Sequence, residues 1–264
     1  MPPRKSRATL TDQRVLHITD LHLRARAGTT LLGVDTDHSL RAVLAQALSE
    51  AQPDAVLVTG DIAHDPEPAV YERFAAIMGD NYSGPCLCLA GNHDVSAAMA
   101  GMSDVAGVTL PGWQVIALDS HVDDTPEADV SPEDWSRLLL QLQENQDRWV
   151  LIATHHPPVD VGCPWLDKDR IQNGGELLES LAERPNVKGM VFGHAHQVVE
   201  TKYRDIPLLG TPSTCFQFAP RSAVFAIDGH MPGYRWLTLS ADGQVFSEVR
   251  RLADYPLQID PSDR

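Results

Sequence analysis

An α/β layered sandwich with largely buried strands is the fold class this sequence predicts, and three observations carry it. Short β-rich apolar runs recur, each ending in a polar cluster. Amphipathic stretches with helical spacing separate most of them, and the tail after Gln197 changes to strand-like runs with no helix between. Alternating strand and helix signals build sheets covered by helices, whose central strands read as continuous apolar runs.

The elements follow in order. "RVLHITDLH" (14–22) is the first buried strand with its polar end. Leu40, Val43, Leu44, Ala47 and Leu48 then recur at three- and four-residue spacing, which lays one apolar stripe along a helix. "DAVLVTGDIAHD" (54–65), "PCLCLAGNHD" (85–94) and "WQVIALDSH" (113–121) are further strands, and Trp135, Leu138, Leu139 and Leu142 mark another helix. "WVLIATHHPP" (149–158) and "VKGMVFGHAH" (187–196) close the alternating part. The tail holds "QVVETKY" (197–203), "IPLLGT" (206–211), "SAVFAID" (222–228) and a hairpin, "YRWLTLSADGQVFSEVRRL" (234–252), turning at Ala241, Asp242 and Gly243.

With no internal repeat or low-complexity linker, residues 1–264 are expected to form one domain. Residues 1–13 are expected to be a flexible N-terminal extension, and 197–264 to complete the second sheet by antiparallel pairing. The Pro-containing loops at 125–132 and 157–164 are candidates for a cleft rim.

Composition excludes several partners. A net charge of -15 repels nucleic-acid polymers and anionic membranes, whose phosphates need Lys and Arg, so a small anion can bind only at a locally positive site. No apolar run approaches the roughly 20 residues of a membrane helix, and the basic "MPPRKSR" leads into polar residues rather than an apolar leader segment. A cytoplasmic protein is expected. Cys86, Cys88, Cys163 and Cys215 lack zinc-finger spacing and are expected to be reduced thiols. Oligomeric state is open, because the tail strands suit either a homo-oligomer edge or closure of the second sheet.

The polar clusters share one chemistry. Five strand ends carry metal-donor side chains: Asp20 with His22, Asp61, Asn92 with His93, His155 with His156, and His194 with His196. Carboxylate oxygen, amide oxygen and imidazole nitrogen are donors that divalent transition metals accept, and this many suit two ions better than one. In D-x-H and H-x-H an extended backbone would point the first and third residues the same way. Gly60, Gly91 and Gly193 precede the donors and allow tight turns near an ion. One such cluster is an ordinary turn; five at successive strand ends are a site.

The ordered set "D20-L-H22", "G60-D61", "G91-N92-H93-D94", "H155-H156" and "G193-H194-A195-H196" resembles the calcineurin-like metallophosphoesterases. The stretches "LLGVDT" (31–36), "GCPWLD" (162–167), "NGGEL" (173–177) and "GTPSTCFQFAP" (210–220) resemble their bacterial class III cyclic-AMP phosphodiesterase branch. The resemblance implies a four-layer αββα sandwich, two mixed sheets flanked by helices. It implies one metal on Asp20, His22, Asp61 and His196, and a second on Asp61, Asn92, His155 and His194, Asp61 bridging. The ions would be Fe, Mn, Co or Zn, the donors alone not choosing. Asp61 and His93 are the implied catalytic groups, with Asn92, His93, His22 and His196 around the phosphate.

The implied activity is hydrolysis of 3′,5′-cyclic nucleotides, cyclic AMP first, by a metal-bridging hydroxide. Two divalent ions make such a hydroxide available near neutral pH, and His93 can protonate the leaving alkoxide. The competing substrates are 2′,3′-cyclic nucleotides, glycerophosphodiesters and lipid-linked pyrophosphates, which need the same metals. A scaffold that keeps only the fold is a further alternative, against which every motif position, His93 included, is present.

Four details stay open. In many relatives the second block reads G-D-x-x-D; here His64 holds the last position with Asp65 beyond it, so the partner orienting His93 is Asp65, His64 or another group. Of the tandem histidines, His155 is the expected ligand and His156 a supporting group. The 211–218 segment is either a substrate-facing loop or a plain connection. Trp165 and Phe216 either stack on a base or pack internally.

Overall fold

The computed structural model describes residues 11–99, 101–102, 107–122, 125 and 127–263. The expected N-terminal extension, as far as residue 10, lies outside the described residues, as does residue 126 of the 125–132 loop. Strands β1 (Gln13–Ile18), β2 (Thr30–Leu31), β3 (Val34–Asp35), β4 (Ala55–Thr59) and β5 (Cys86–Leu89) come first. Next are β6 (Val108–Leu110), β7 (Trp113–Ala117), β8 (Trp149–Ala153) and β9 (Val187–Phe192). The tail adds β10 (Val199–Tyr203), β11 (Ile206–Gly210), β12 (Gln217–Phe218), β13 (Ile227–Asp228), β14 (Gly233–Leu239) and β15 (Val245–Arg251). Helices α1 (Thr36–Glu50), α2 (Pro68–Asn81), α3 (Pro132–Glu144) and α4 (Gly174–Ala182) lie among them.

One sheet runs β15-β14-β1-β4-β5 and the other β10-β11-β9-β8-β7-β6. Each has a parallel centre, β1-β4-β5 in the first and β7-β8-β9-β11 in the second, with antiparallel strands outside it. Period-two alternation sorts the apolar side chains into layers. Leu16, Ile18, Val56 and Val58 pack with Leu40 and Leu44 of α1 and Phe74 and Ile77 of α2. Their neighbours Val15, Leu57, Leu87 and Leu89 turn the other way, onto Val115, Leu151, Val191 and Leu209 of the facing sheet. The outer face of that sheet packs Val150, Ile152 and Met190 on Leu138 and Leu142 of α3 and Leu177 and Leu181 of α4. The result is four layers, αββα, each buried aliphatic side chain contributing about 1.5–3 kcal/mol.

The helices begin where their residues dictate. The Asp35 carboxylate accepts from the His38 N–H at 3.0 Å to cap α1. Ser131 accepts from the Asp134 N–H at 3.1 Å, and Pro132 supplies the preset φ of a first helical turn, to start α3.

Three expectations change shape. The 197–264 tail divides between both sheets: β10 and β11 extend the second, while the β14-β15 hairpin pairs antiparallel with β1 of the first. The cause lies in β14 itself, where Tyr234 and Trp236 join the helix-side core and Leu237 and Leu239 the inter-sheet core. Gln13, expected within the flexible extension, pairs with Leu239 in β1. Of "SAVFAID" only Ile227 and Asp228 pair, with β12, and Val224 and Phe225 are exposed.

The carboxyl ends of five of the parallel strands, β1, β4, β5, β8 and β9, carry the expected donors at one edge of the sandwich, where ligands of such sheets bind. Among the described residues no helix is long and apolar enough to cross a membrane.

Candidate metal centre

Each donor pair is shaped by the loop that carries it. Asp20, His22, Asp61, His194 and His196 all have positive φ, between 48° and 60°. The D-x-H and H-x-H pairs therefore converge through left-handed turns, not along the extended backbone expected from their spacing. Such φ values are strained for residues with a Cβ, and they persist where surrounding contacts hold them. Here the His22 N–H donates to the Asp61 carbonyl at 2.8 Å, the Asp20 N–H to the Gly60 carbonyl at 3.1 Å, and the His194 N–H to Asp20 Oδ1 at 3.1 Å. The glycines act mainly by close approach: a Cβ on Gly193 would overlap the Thr19 hydroxyl, and one on Gly91 the Asp61 carboxylate and amide. Gly60 alone of the three has positive φ, 93°.

All seven expected ligands come together. His22 Nε2 lies 3.0 Å from His196 Nε2 and 3.5 Å from Asp61 Oδ2, and His196 Nε2 is 3.4 Å from Asp20 Oδ1. On the other side of Asp61, His155 Nε2 is 3.5 Å from Oδ1 and 3.1 Å from Asn92 Oδ1, which is 2.9 Å from His194 Nδ1. The two oxygens of Asp61 thus face two different donor groups.

Proton assignment makes these contacts informative. His196 Nδ1 meets the Phe216 carbonyl at 2.8 Å and His155 Nδ1 the Thr59 carbonyl at 2.7 Å. A carbonyl only accepts, so both Nδ1 atoms carry hydrogen, and in the Nδ1–H tautomer each ring turns an Nε2 lone pair inward. Inward lone pairs then oppose carboxylate and amide oxygens, and Asp20 Oδ2 and His194 Nε2 are buried without a hydrogen-bond partner among the described residues. Burial first, and neighbouring imidazoles second, push the pKa of His22 well below its usual value and that of His194 to about 3. Acceptors facing acceptors in a buried site call for a cation between them, and donors about 2.0–2.2 Å from one ion stand roughly 3.0–3.5 Å apart. The residues present fit metal ions.

The supporting groups resolve several open details. His155, not His156, points at Asp61. His156 Nδ1 is bonded to Ser120 Oγ at 3.0 Å and its ring lies 4.7 Å from both His155 and His194, so it buttresses them, its Nε2 buried without a hydrogen-bond partner among the described residues. Asp65 is not the partner of His93: its carboxylate pairs with Arg24 at 3.0 Å and accepts from the Ala25 N–H. His64 instead stacks on His93, ring centroids 4.9 Å apart, with its Nδ1 3.5 Å from His22 Nδ1. The 211–218 segment is both a connection and a wall. Thr211, Ser213 and Thr214 are buried, and Phe216 and Phe218 line a cavity of about 260 Å³ beside His22 and His93. Trp165 packs edge-on against Phe218 and Phe225 behind it.

One positioning group went unread in the sequence. Asp94 accepts from the backbone N–H groups of Ile62, Ala63 and Gly91 and from the Tyr71 hydroxyl, all at 2.9–3.1 Å. It ties the Asp61 loop to the Asn92 loop. Burial and then the Asp61 charge raise its pKa to about 6 against those donors. Its place in "GNHD" was the available signal.

Fold and donors together define a metallophosphoesterase domain. The chain belongs to the calcineurin-like phosphoesterase family, whose model matches residues 13–198. It is 40% identical over 256 residues to the 3′,5′-cyclic adenosine monophosphate phosphodiesterase CpdA of Escherichia coli (strain K12), covering 94% of this chain and 92% of that protein. A 3′,5′-cyclic-nucleotide phosphodiesterase of Nostoc is 35% identical, covering 94% and 95%. Among solved structures, the purple acid phosphatase PPD1 of yellow lupin superposes with a TM-score of 0.66 at 15% identity, over 95% of this chain and 53% of that one, a likeness of fold.

Proposed function

We propose that this protein is a metal-dependent phosphodiesterase opening 3′,5′-cyclic nucleotides, cyclic AMP first, to the 5′-monophosphate. The observation that carries the reading is Asp61, whose two oxygens face two donor groups at 3.5 Å each, beside an accessible histidine. Near-full-length similarity to the E. coli cyclic-AMP phosphodiesterase supports the substrate class.

In this reading Asp20, His22, Asp61 and His196 hold one divalent ion, and Asp61, Asn92, His155 and His194 the other, drawn from Fe, Mn, Co or Zn. Such ions, when bound, supply positive charge for a phosphate and acidify water. The chain's own groups do the rest. Buried His22 and His194 stay neutral and keep their lone pairs for the ions, and Asn92 and His93 approach the non-bridging oxygens. His93 is half-buried at the cavity mouth, its backbone N–H fixed on Asp61 Oδ1 at 2.9 Å. Its ring, backed by His64, gives a proton to the departing 3′ oxygen. Four free cysteines and the lack of a long apolar helix among the described residues support a cytoplasmic setting.

The test pairs metal analysis with kinetics on cyclic AMP, 2′,3′-cyclic AMP, a glycerophosphodiester and bis(p-nitrophenyl) phosphate. Cyclic AMP should be turned over, and His93→Ala should keep its metal while losing about 10²–10⁴-fold in kcat. A protein that hydrolyses the others but no 3′,5′-cyclic nucleotide overturns the substrate reading.

A further inference from the structure

The cavity beside the metal centre has two unlike walls. His22, His64 and His93 form one; Leu31, Leu32, Phe216, Phe218 and Phe225 form the other. His22 belongs to both the donor group and the cavity, so a ligand whose phosphate sits on the metals reaches directly into the apolar side. At about 260 Å³ the cavity lies below the roughly 300–1,000 Å³ that encloses a whole drug-sized ligand, and suits one flat part of a ligand anchored elsewhere.

The aromatic wall is built rather than incidental. Phe216 stacks on His22 and packs on His196, with ring centroids at 5.6 Å and 4.8 Å, and Phe218 stacks on His196 at 4.3 Å. Phe225 lies 5.6 Å from Phe218, and Trp165 braces both. Phe225 nevertheless keeps 42% of its surface exposed at the cavity, and its neighbour Val224 69%. Large apolar side chains left in contact with water beside a polar reaction centre mark a surface that a ligand covers.

Resting on the phosphodiesterase reading above, we propose that Phe216, Phe218 and Phe225 form the nucleobase subsite, and that it holds the base by stacking without reading its edge. Every nucleobase has a π-face, and stacking is tolerant of which base supplies it. Edge recognition needs hydrogen-bonding groups aimed at the ring substituents. Among the described residues, the side chains lining this cavity supply only three imidazoles, all on the wall beside the donor group. An apolar pocket separates similar ligands by small factors, whereas a hydrogen-bonding one rejects the wrong partner by about 10⁴–10⁵. Cyclic AMP and cyclic GMP should therefore have kcat/KM values within about tenfold of one another.

The experiment uses the metal-loaded full chain and the variant Phe225→Ala, at an exposed position. KM and kcat are measured for cyclic AMP and cyclic GMP. AMP and inorganic phosphate are also compared as inhibitors of bis(p-nitrophenyl) phosphate hydrolysis. The expected result is a rise of about tenfold in KM for both cyclic nucleotides and in Ki for AMP, with kcat changing less than twofold and the phosphate Ki unmoved. Phosphate needs only the metals, so a parallel rise in its Ki would assign these rings to the metal centre instead. An unchanged Ki for AMP, or a wild-type preference beyond a hundredfold between the two cyclic nucleotides, overturns the proposal. Should no cyclic nucleotide be hydrolysed, the substrate reading fails by itself, and the AMP-to-phosphate comparison still decides the cavity.

Discussion

His22 and His196, 174 positions apart in the chain, bring their buried Nε2 atoms to 3.0 Å of each other. Two imidazole nitrogens at that distance either share a proton or share a cation. With His196 Nδ1 already donating to the Phe216 carbonyl, and Asp20 and Asp61 close by, the cation accounts for every lone pair.

In the proposed assignment, replacing one histidine of each donor group should act on one ion. His196→Ala should empty the site it shares with Asp20 and His22, and His194→Ala the site it shares with Asn92 and His155. Each loss should weaken its ion by more than about a hundredfold, since even groups that only orient ligands contribute roughly 10–100-fold. Metal content per chain, measured after desalting, should fall from two ions to one in either variant. Loss of both ions from both variants would count against separate sites.

Gly91 and Gly175 should respond in opposite senses to alanine. A Cβ at Gly91 overlaps Asp61 and reaches 2.8 Å from His155 Cε1, whereas one at Gly175, in the first turn of α4, meets nothing within 4 Å. Gly91→Ala should cost about 1–3 kcal/mol and disturb metal binding. Gly175→Ala should stabilise by about 0.5–1 kcal/mol. Urea midpoints of the two variants measure this contrast.

Asp94→Asn should loosen the site without touching a ligand. The substitution preserves shape but turns one acceptor into an NH₂ group facing N–H donors from two ligand loops. Unsatisfied buried donors cost about 1–3 kcal/mol, and metal affinity should fall roughly 10–100-fold. Chelator competition reads the second effect apart from the first. Unaltered metal affinity in a destabilised variant would reduce Asp94 to a purely structural group.

His17 should make the protein acid-sensitive. It is fully buried in β1 between the hydroxyls of Thr59 and Thr211, and burial, then Arg235, depress its pKa to about 3, against about 6.5 in the unfolded chain. Between those values the unfolded chain binds a proton that the native one does not. The His17 contribution is thus complete above pH 6.5 and is lost as pH falls toward 3, by at most about 1.4 kcal/mol per unit. The stability difference between wild type and His17→Asn should shrink by about 1–2 kcal/mol from pH 8 to pH 5. A difference independent of pH would mean that His17 titrates alike in the native and the unfolded chain.

Much of this was legible in residue order. Continuous apolar runs alternating with 3.6-residue periodicity indicate buried parallel strands under helices, and the donors were readable because each closes a strand. The hairpin turning at Ala241–Gly243 was equally plain. The partition of the tail was not, since β14 is apolar on both faces and its pattern does not say which sheet it enters.

The sequence by itself determined the layered α/β class and the metal-donor side chains at the strand ends, because those depend on local periodicity and residue chemistry, while the four-layer αββα order was implied by the family resemblance. Tertiary structure alone decided that the ligand pairs converge through left-handed turns, that Arg24 removes Asp65 from His93, and that three phenylalanines meet beside His22. The reason is physical: each rests on contacts between loops remote in sequence, held by backbone hydrogen bonds and close glycine approaches that no local pattern encodes.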